Sequence, residues 1–317
     1  MPSLSIIVPC HDEAQVLPLF YDAARAALVE LPSDVSTELI FVDDGSTDET
    51  LEVLLALAED DPRVRYLSFS RHFGKEAALY AGLQAAQGEY VALIDADLQD
   101  PPKLLVEMYQ TLQADPTLGS VIARRRSRHN EPLFRRWGAR AFYWLMRKIS
   151  DVALRDGERD FRMMTRQVAD AVLSLSERNR FSKGMFRWVG FKTAWVEFDH
   201  AERAAGATHW SFLQLASYSI EGIVNYSTTP LQIASWSGIV CFLLSLIGAL
   251  IIIAKTLILN DPVPGWPSLA CLILCVGGIQ LFCIGIIGQY LLRTYIEAKE
   301  RPLYLIAQSN LKTDSVL

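Results

Sequence analysis

Two stretches near the C-terminus limit what this chain can become before anything else does. Residues 233–259, IASWSGIVCFLLSLIGALIIIAKTLIL, and 269–292, LACLILCVGGIQLFCIGIIGQYLL, are apolar all round, without the polar stripe of a surface helix. Each exceeds the roughly 20 apolar residues that cross a bilayer as a helix. The expectation is a two-helix transmembrane hairpin, with spans at 231–259 and 269–293 and an external loop at 260–268. The link NDPVPGWPS carries no Lys or Arg, whereas Arg293, Lys299, Arg301 and Lys312 follow the second run. Positive charge collects on the cytoplasmic side. Both termini are therefore expected in the cytoplasm, with 294–317 a cytosolic tail of an inner- or plasma-membrane protein.

The front half follows a different rule. LSIIVP (4–9) reads as a strand and residues 13–31 have helical spacing. TELIFVDDGS forms a second strand, and Ser46-Thr47-Asp48-Glu49 reads as a capping box ahead of the helix LEVLLALAED. RVRYLSF is a third strand, KEAALYAGLQAAQ a helix stopped at Gly88, and YVALID a fourth strand. Pro101 and Pro102 open a helix running to about Ala114, and GSVIAR is a fifth strand. Alternation at this pitch predicts βαβ units and a mostly parallel, Rossmann-like sheet, an α/β domain over 1–208. In such sheets ligands sit beyond the C-terminal ends of the strands. The opening MPSLSIIVPC has no basic n-region and reads as a core strand rather than a signal peptide.

Two amphipathic stretches join these halves. Residues 132–149 mix Trp137, Phe142, Tyr143 and Trp144 with Arg and Lys, and 209–230 run directly toward the first span. Aromatic and cationic residues together suit the headgroup layer, so both are expected to be interface helices. The net charge of −6 gives no sign of a nucleic-acid partner, yet Arg124–Lys148 holds nine Lys or Arg against one acid, Glu131. Four of the five cysteines lie in the apolar C-terminal third without metal-ligand or paired spacing, so neither a disulfide framework nor a zinc site is expected. Cys10, beside His11, reads as a packing residue rather than a nucleophile.

Candidate chemistry gathers at strand ends. In an extended chain, positions i, i+2 and i+4 share a side, so Asp95, Asp97 and Gln99 would aim oxygen ligands at one point. Two unpaired carboxylates there would repel each other, and a hard cation, Mg²⁺ or Mn²⁺, relieves that. The same rim receives Asp43 and Asp44 from the second strand and His11, Asp12 and Glu13 from the first. Arg71 and Lys75 follow the third strand and can balance charge. A metal that takes carboxylates together with phosphate oxygens points to a nucleotide-diphosphate substrate.

Taken in order, IIVPCHDEA, FVDDGSTDET, SRHFGKEAAL, DADLQDPP and RDFRMMTR resemble the inverting GT-A glycosyltransferases that load sugars onto polyprenyl phosphates, the group of dolichol-phosphate mannose synthases and bactoprenol glucosyltransferases. The resemblance covers nearly the whole chain. It implies a membrane-bound enzyme with a GT-A catalytic domain, a nucleotide-sugar donor, a divalent metal and a polyprenyl phosphate acceptor. It assigns Pro9, His11, Glu13 and Asp44 to the nucleotide and Asp95, Asp97 and Gln99 to the metal; Arg71 and Lys75, by their place after the third strand, join the nucleotide-sugar residues. Arg203 matches a diphosphate-binding arginine; six residues on, His209 stands where the family usually has lysine and lacks its permanent charge. Arg125, Arg135, Arg136 and Arg140 match the acceptor-phosphate cluster, although Ala139 replaces a common serine. Asp160 is the candidate for general base or for positioning the acceptor, set against a structural acid paired with Arg159 or Arg162.

Similarity of RDFRMM and LQDPP to the bactoprenol enzymes favours UDP-glucose and undecaprenyl phosphate, with mannose or an aminosugar as the alternative. A processive polysaccharide synthase is disfavoured because GMFRW has Gly184 where a Q-x-x-R-W signature needs glutamine. A nucleotide oxidoreductase is disfavoured because VPCHDEA lacks glycine. A non-catalytic membrane scaffold is the remaining rival. Gly277, Gly278, Gly285 and Gly288 could pack the second span against the first or against another subunit, which leaves a homo-oligomer open.

Overall fold

The first strand, β1 (Leu4–Cys10), shows how the sequence builds the core. Its Ile6 and Val8 enter one apolar cluster and Ile7 enters another, on opposite faces of a sheet. All three are fully buried, each contributing roughly 1.5–3 kcal/mol by leaving water. The computed structural model describes residues 3–125, 158–198, 229–259 and 265–311. The expected interface helices at 132–149 and 209–230, the latter but for its last two residues, lie outside the described residues.

Around β1 stand β2 (Thr37–Asp43), β3 (Val64–Phe69) and β4 (Tyr90–Leu93), all parallel. Helices α1 (Leu17–Leu28), α2 (Thr50–Asp60) and α4 (Leu104–Ala114) supply the first cluster, and α3 (Lys75–Ala85) the second. The contact of α3 with β1 is very close. A side chain at Gly82 would put its Cβ 2.2 Å from Ile7 Cγ2, so α3 can lie there only because residue 82 has none.

The sheet has eight strands in the order β7-β5-β6-β4-β1-β2-β3-β8, where β5 is Ser120–Arg125, β6 Glu158–Thr165, β7 Thr193–Phe198 and β8 Ile306–Ser309. The expected mostly parallel α/β sheet is present, extended by strands the periodicity does not announce. Strand β6 runs antiparallel between β4 and β5. Its N-terminal end therefore reaches the rim where β1–β4 place their C-terminal ends. Helices α5 (Arg166–Leu173) and α6 (Ser182–Trp188) follow on the second face.

Two long helices, α7 (Thr229–Leu259) and α8 (Trp266–Ala298), pack against each other. Among the described residues, the segment Cys275–Ala298 is long and apolar enough to cross a membrane. The chain after α8 packs back on the sheet. It returns as β8, antiparallel to β3, where Asn310 Oδ1 accepts the Tyr66 N–H at 2.9 Å and Tyr304 stacks on Phe69 at 4.9 Å.

Candidate functional site

A cleft of about 210 Å³ opens beyond the C-terminal ends of β1, β2 and β4. Two loops that brace each other form one wall. Asp12, at φ 55°, accepts the Thr47 N–H on Oδ1 at 2.7 Å, and its own N–H donates to Ser46 Oγ at 3.0 Å. The Glu13 N–H donates to Thr50 Oγ1, and the Ala14 N–H to Asp48 Oδ2. The expected capping box is not what starts α2. Glu49 occupies the cap position without a side-chain bond, and Asp48 Oδ1 accepts the Thr50 N–H instead. The helix at 13–31 likewise begins later, at Leu17, because residues 11–16 form this loop and Pro18 suits a first turn.

Asp44 is buried in that wall. Its carboxylate accepts N–H bonds from Phe73 at 2.7 Å and Gly74 at 2.9 Å, and His72 Nδ1 lies 3.0 Å from Oδ2. The carboxylate thus ties the β3–α3 loop to the end of β2. Gly45, at φ +64°, lets that loop pass, since a Cβ there would sit 2.2 Å from the Arg71 carbonyl carbon. The His11 and His72 rings face each other at 4.3 Å, a pair the sequence reading did not single out. Cys10 Sγ donates to Val42 O, and burial, with Asp43 and Glu13 nearby, pushes its thiol up, so it is no nucleophile.

The second wall holds the acids after β4. Asp95 and Asp97 both line the cleft, but strand alternation does not put them there. The strand ends at Leu93, the chain turns at Ala96–Asp97, and Leu98 adopts φ 57°. The i, i+2, i+4 premise therefore fails beyond Asp95. Gln99 is absent from the cleft lining, and its backbone N–H caps the turn on Asp97 Oδ1 at 3.1 Å.

Lys75 joins this wall to β6. Its Nζ lies 2.7 Å and 2.8 Å from the two Asp95 oxygens and 3.0 Å from Asp160 Oδ2, while Lys183 Nζ lies 3.5 Å from Asp160 Oδ1. Burial opposes charge on Asp160, yet Lys183 and Lys75 outweigh it and hold the carboxyl well below the usual range. Burial also opposes the Lys75 ammonium, and Asp160 and Asp95 reverse that, raising its pKa. Beneath them Arg162 is buried with its guanidinium 4.1 Å from the Phe186 ring centre; burial lowers it to about 10 despite Asp160 and Glu76. Arg162 thus stays cationic at neutral pH. A carboxylate with two ammonium neighbours is a permanent anion and a weak proton acceptor.

The structure brings Pro9, His11, Glu13, Asp44, Lys75, Asp95 and Asp97 to one cleft, with Asp160 bound to its Lys75. It does not bring Arg71 there: that guanidinium lies over the Phe73 ring at 4.1 Å and donates to His72 O. Arg125 closes β5, paired in register with Phe198. Arg135, Arg136, Arg140, Arg203 and His209 lie outside the described residues. His72 and Lys183 are the site residues sequence reasoning passed over, and Arg162, expected only as a possible partner of Asp160, donates from Nε to the Asp160 carbonyl. His72 and Arg162 stand inside the quoted motifs, but nothing local marks Lys183.

Comparison with known proteins agrees with this architecture. Residues 5–173 match the model of glycosyl transferase family 2, and the chain belongs to that family. It is 40% identical over 307 residues to the SfII prophage-derived bactoprenol glucosyl transferase of Shigella flexneri, covering 97% of this chain and 98% of that one. It is 41% identical over 303 residues to the prophage bactoprenol glucosyl transferase homolog of Escherichia coli (strain K12), covering 96% and 98%. A mannosyltransferase from Pyrobaculum calidifontis, solved with GDP-Man and Mn²⁺, shares the GT-A fold at a TM-score of 0.50 and 20% identity, over 92% of this chain and 87% of that one.

Proposed function

We propose that this protein transfers glucose from UDP-glucose to a polyprenyl phosphate, undecaprenyl phosphate, with inversion at the anomeric carbon. The observation that carries the reading is the 40–41% identity, across nearly the full length of both chains, to a bactoprenol glucosyl transferase and a bactoprenol glucosyl transferase homolog.

The site's chemistry suits such a transfer. Asp95 and Asp97 offer hard oxygen donors at the cleft, and the Asp95 carboxylate already draws an ammonium onto both oxygens. Among the described residues no three His, Cys, Asp or Glu side chains gather closely enough to hold an ion by themselves. That fits Mg²⁺ or Mn²⁺, which take one or two carboxylates and fill the remaining positions with phosphate oxygens and water. Asp95 and Asp97 would hold the ion. The ion would supply charge stabilisation on the departing diphosphate.

The chain's own residues do the rest. The braced wall of His11, Glu13 and Asp44 receives the nucleotide, its shape fixed before the donor arrives. Lys75 adds positive charge between donor and acceptor. Asp160, held ionised, orients Lys75 and does not serve as the base. None is needed: a phosphate monoester has a second pKa near ~6 and is largely a dianion at neutral pH. What remains is alignment of two anions, for which cations around the cleft are suited.

The acceptor places the reaction at a membrane. Helices α7 and α8, of 31 and 33 residues, are about 46 and 50 Å long at 1.5 Å per residue, more than the roughly 30 Å of a bilayer core. Their outward side chains are apolar: Leu244, Ile251, Leu281 and Phe282 are each more than half exposed, which lipid tolerates and water does not. Strand β8 rejoins the sheet soon after α8 ends. A chain that leaves the catalytic domain through α7 and returns through α8 crosses twice.

The test is transfer of labelled sugar from a panel of nucleotide sugars into an organic-extractable lipid, with and without EDTA. Label should appear from UDP-glucose and vanish with EDTA. A water-soluble product would sink the lipid acceptor, a preference for GDP-mannose or an amino sugar would replace glucose, and undiminished transfer in EDTA would remove the metal.

A further inference from the structure

Residues 178–183 run from the end of α8 to the Asp160 cluster. Glu297 Oε1, in the last turn of α8, accepts the backbone N–H of Arg178 at 2.7 Å and of Asn179 at 3.2 Å. Arg178 Nη1 donates to the Arg301 carbonyl at 3.0 Å. Next, the buried Arg180 donates to Leu175 O at 2.9 Å and lies 4.3 Å over the Tyr80 ring. At the far end the Ser182 N–H donates to Glu76 Oε2 at 2.9 Å, and Lys183 faces Asp160. The segment is a strap whose one end is fixed to a membrane helix and whose other end presents an ammonium beside Lys75.

The two ammonium groups on Asp160 are not equivalent. Lys75 is bonded to Asp95 and Asp160 within 3.0 Å, whereas Lys183 meets Asp160 at 3.5 Å, beyond good hydrogen-bond length. Lys183 can therefore turn to a stronger anion without abandoning a tight bond. A phosphate monoester dianion, with three acceptor oxygens, is such an anion. We propose that Lys183 contacts the acceptor's phosphate, resting against Asp160 until a lipid monophosphate arrives, and that Glu297 is a positioning residue that fixes the strap to α8. The inference rests on the lipid-phosphate acceptor proposed above.

Steady-state kinetics of the full-length protein in liposomes test it, with polyprenyl phosphate and UDP-glucose varied separately. Lys183→Met should raise KM for the lipid about tenfold or more, as loss of a charge-assisted bond does, and leave KM for UDP-glucose within about twofold. Lys183→Arg should recover most of the loss, since it keeps the charge. Glu297→Ala should raise the lipid KM several-fold, less than Lys183→Met does, because it loosens the strap and leaves the ammonium in place, with the donor KM unmoved. Wild-type activity with an unchanged lipid KM in Lys183→Met overturns this inference alone, as does an equal rise in both KM values. Inorganic phosphate that competes as tightly as the lipid overturns the lipid assignment. A wild-type chain that forms no lipid-linked sugar overturns the proposed function and this inference with it.

Discussion

The two edges of the sheet use acidic residues in opposite ways. At the N-terminal edge, Asp61 accepts bonds from Tyr21 Oη at 2.8 Å and from the Arg63 backbone N–H, Nε and Nη2, the last at 2.7 Å. Glu38 there accepts the Ser5 hydroxyl and the Gln87 N–H. These donors belong to the chain itself, and no ligand could replace them without unfolding something. At the C-terminal edge, Asp95 and Asp160 share one flexible lysine, and a second lysine stands farther off. Counter-ions of that kind can be exchanged for a bound cation or redirected to an incoming anion. Acids at one edge hold the fold, and acids at the other hold charge available for substrates. Substitutions at the two edges should therefore separate stability from activity.

The largest effect is expected at Asp97. Asp97→Ala should lower glucosyl transfer about 10³-fold or more, the scale on which loss of a group stabilising developing charge is felt. Its melting temperature should stay within about 2 °C of wild type, because a partly buried turn residue outside the apolar clusters costs little. A large drop in melting temperature would show that this edge is structural as well. Asp160→Asn should cost less, about 10–100-fold, because it frees Lys75 and Lys183 from their anchor without removing a base. The pH profile decides between those roles. Asp160 is held well below the usual carboxylate range, so it stays ionised throughout the working range and adds no acid limb. The limb should come from the acceptor phosphate, with a midpoint near ~6, and should persist in Asp160→Asn. Its disappearance in the variant would restore Asp160 as the base.

At the opposite edge, Asp61→Asn should reverse the pattern, losing about 2 kcal/mol of stability by urea unfolding while kcat/KM at 25 °C is unchanged. The sign with pH follows from the cause. Arg63 bonding, against some burial, depresses the folded carboxyl to about 2, below the ~3.9 of an unfolded aspartate. The stabilisation is therefore complete above pH ~4 and is lost as pH falls through about 2. Wild type and Asp61→Asn should accordingly converge in stability in strong acid. An activity loss in this variant at neutral pH would erase the distinction between the edges.

The contrast also explains what could be read from the sequence. Strands β1–β5 and their helices were legible because burial on two faces writes near-continuous apolar runs, as in LSIIVP and YVALID. Strand β6 was not, because ERDFRMMT carries Arg162 inward, where β6 and α6 satisfy it, and charge at a core position mimics a loop. Strand β8 pairs residues about 240 positions apart in sequence, beyond the reach of any local pattern. The acids of the site were found because strand ends are fixed by the strands. Their exchange partner Lys183 was missed because its place depends on a strap tied to another helix. The extended-chain argument for Asp97 and Gln99 failed for a local reason, the left-handed Leu98 that turns the chain.

Asp48 tests the boundary between the two kinds of acid, since it lies at the functional edge but is bonded like a structural residue. Its Oδ1 caps α2 through the Thr50 N–H and also accepts the Thr50 hydroxyl, while Oδ2 holds the Ala14 N–H at 3.2 Å. Thr50 Oγ1 in turn holds the Glu13 N–H at 2.9 Å, so one carboxylate fixes both a helix start and the loop that carries His11 and Glu13. Asp48→Ala should cost about 1 kcal/mol of stability, the usual loss of a helix cap. It should also raise KM for UDP-glucose a few-fold, because the wall that receives the nucleotide would need ordering on binding, at about 0.5–1.5 kcal/mol per group immobilised. KM for the lipid should not move, because Asp48 bonds only within the donor wall. Asp48→Asn keeps an acceptor oxygen for the cap and should recover most of the stability. If the alanine variant lost stability with no change in donor KM, the brace would serve the fold alone, and the division between the edges would run through the first wall of the cleft instead of beneath it.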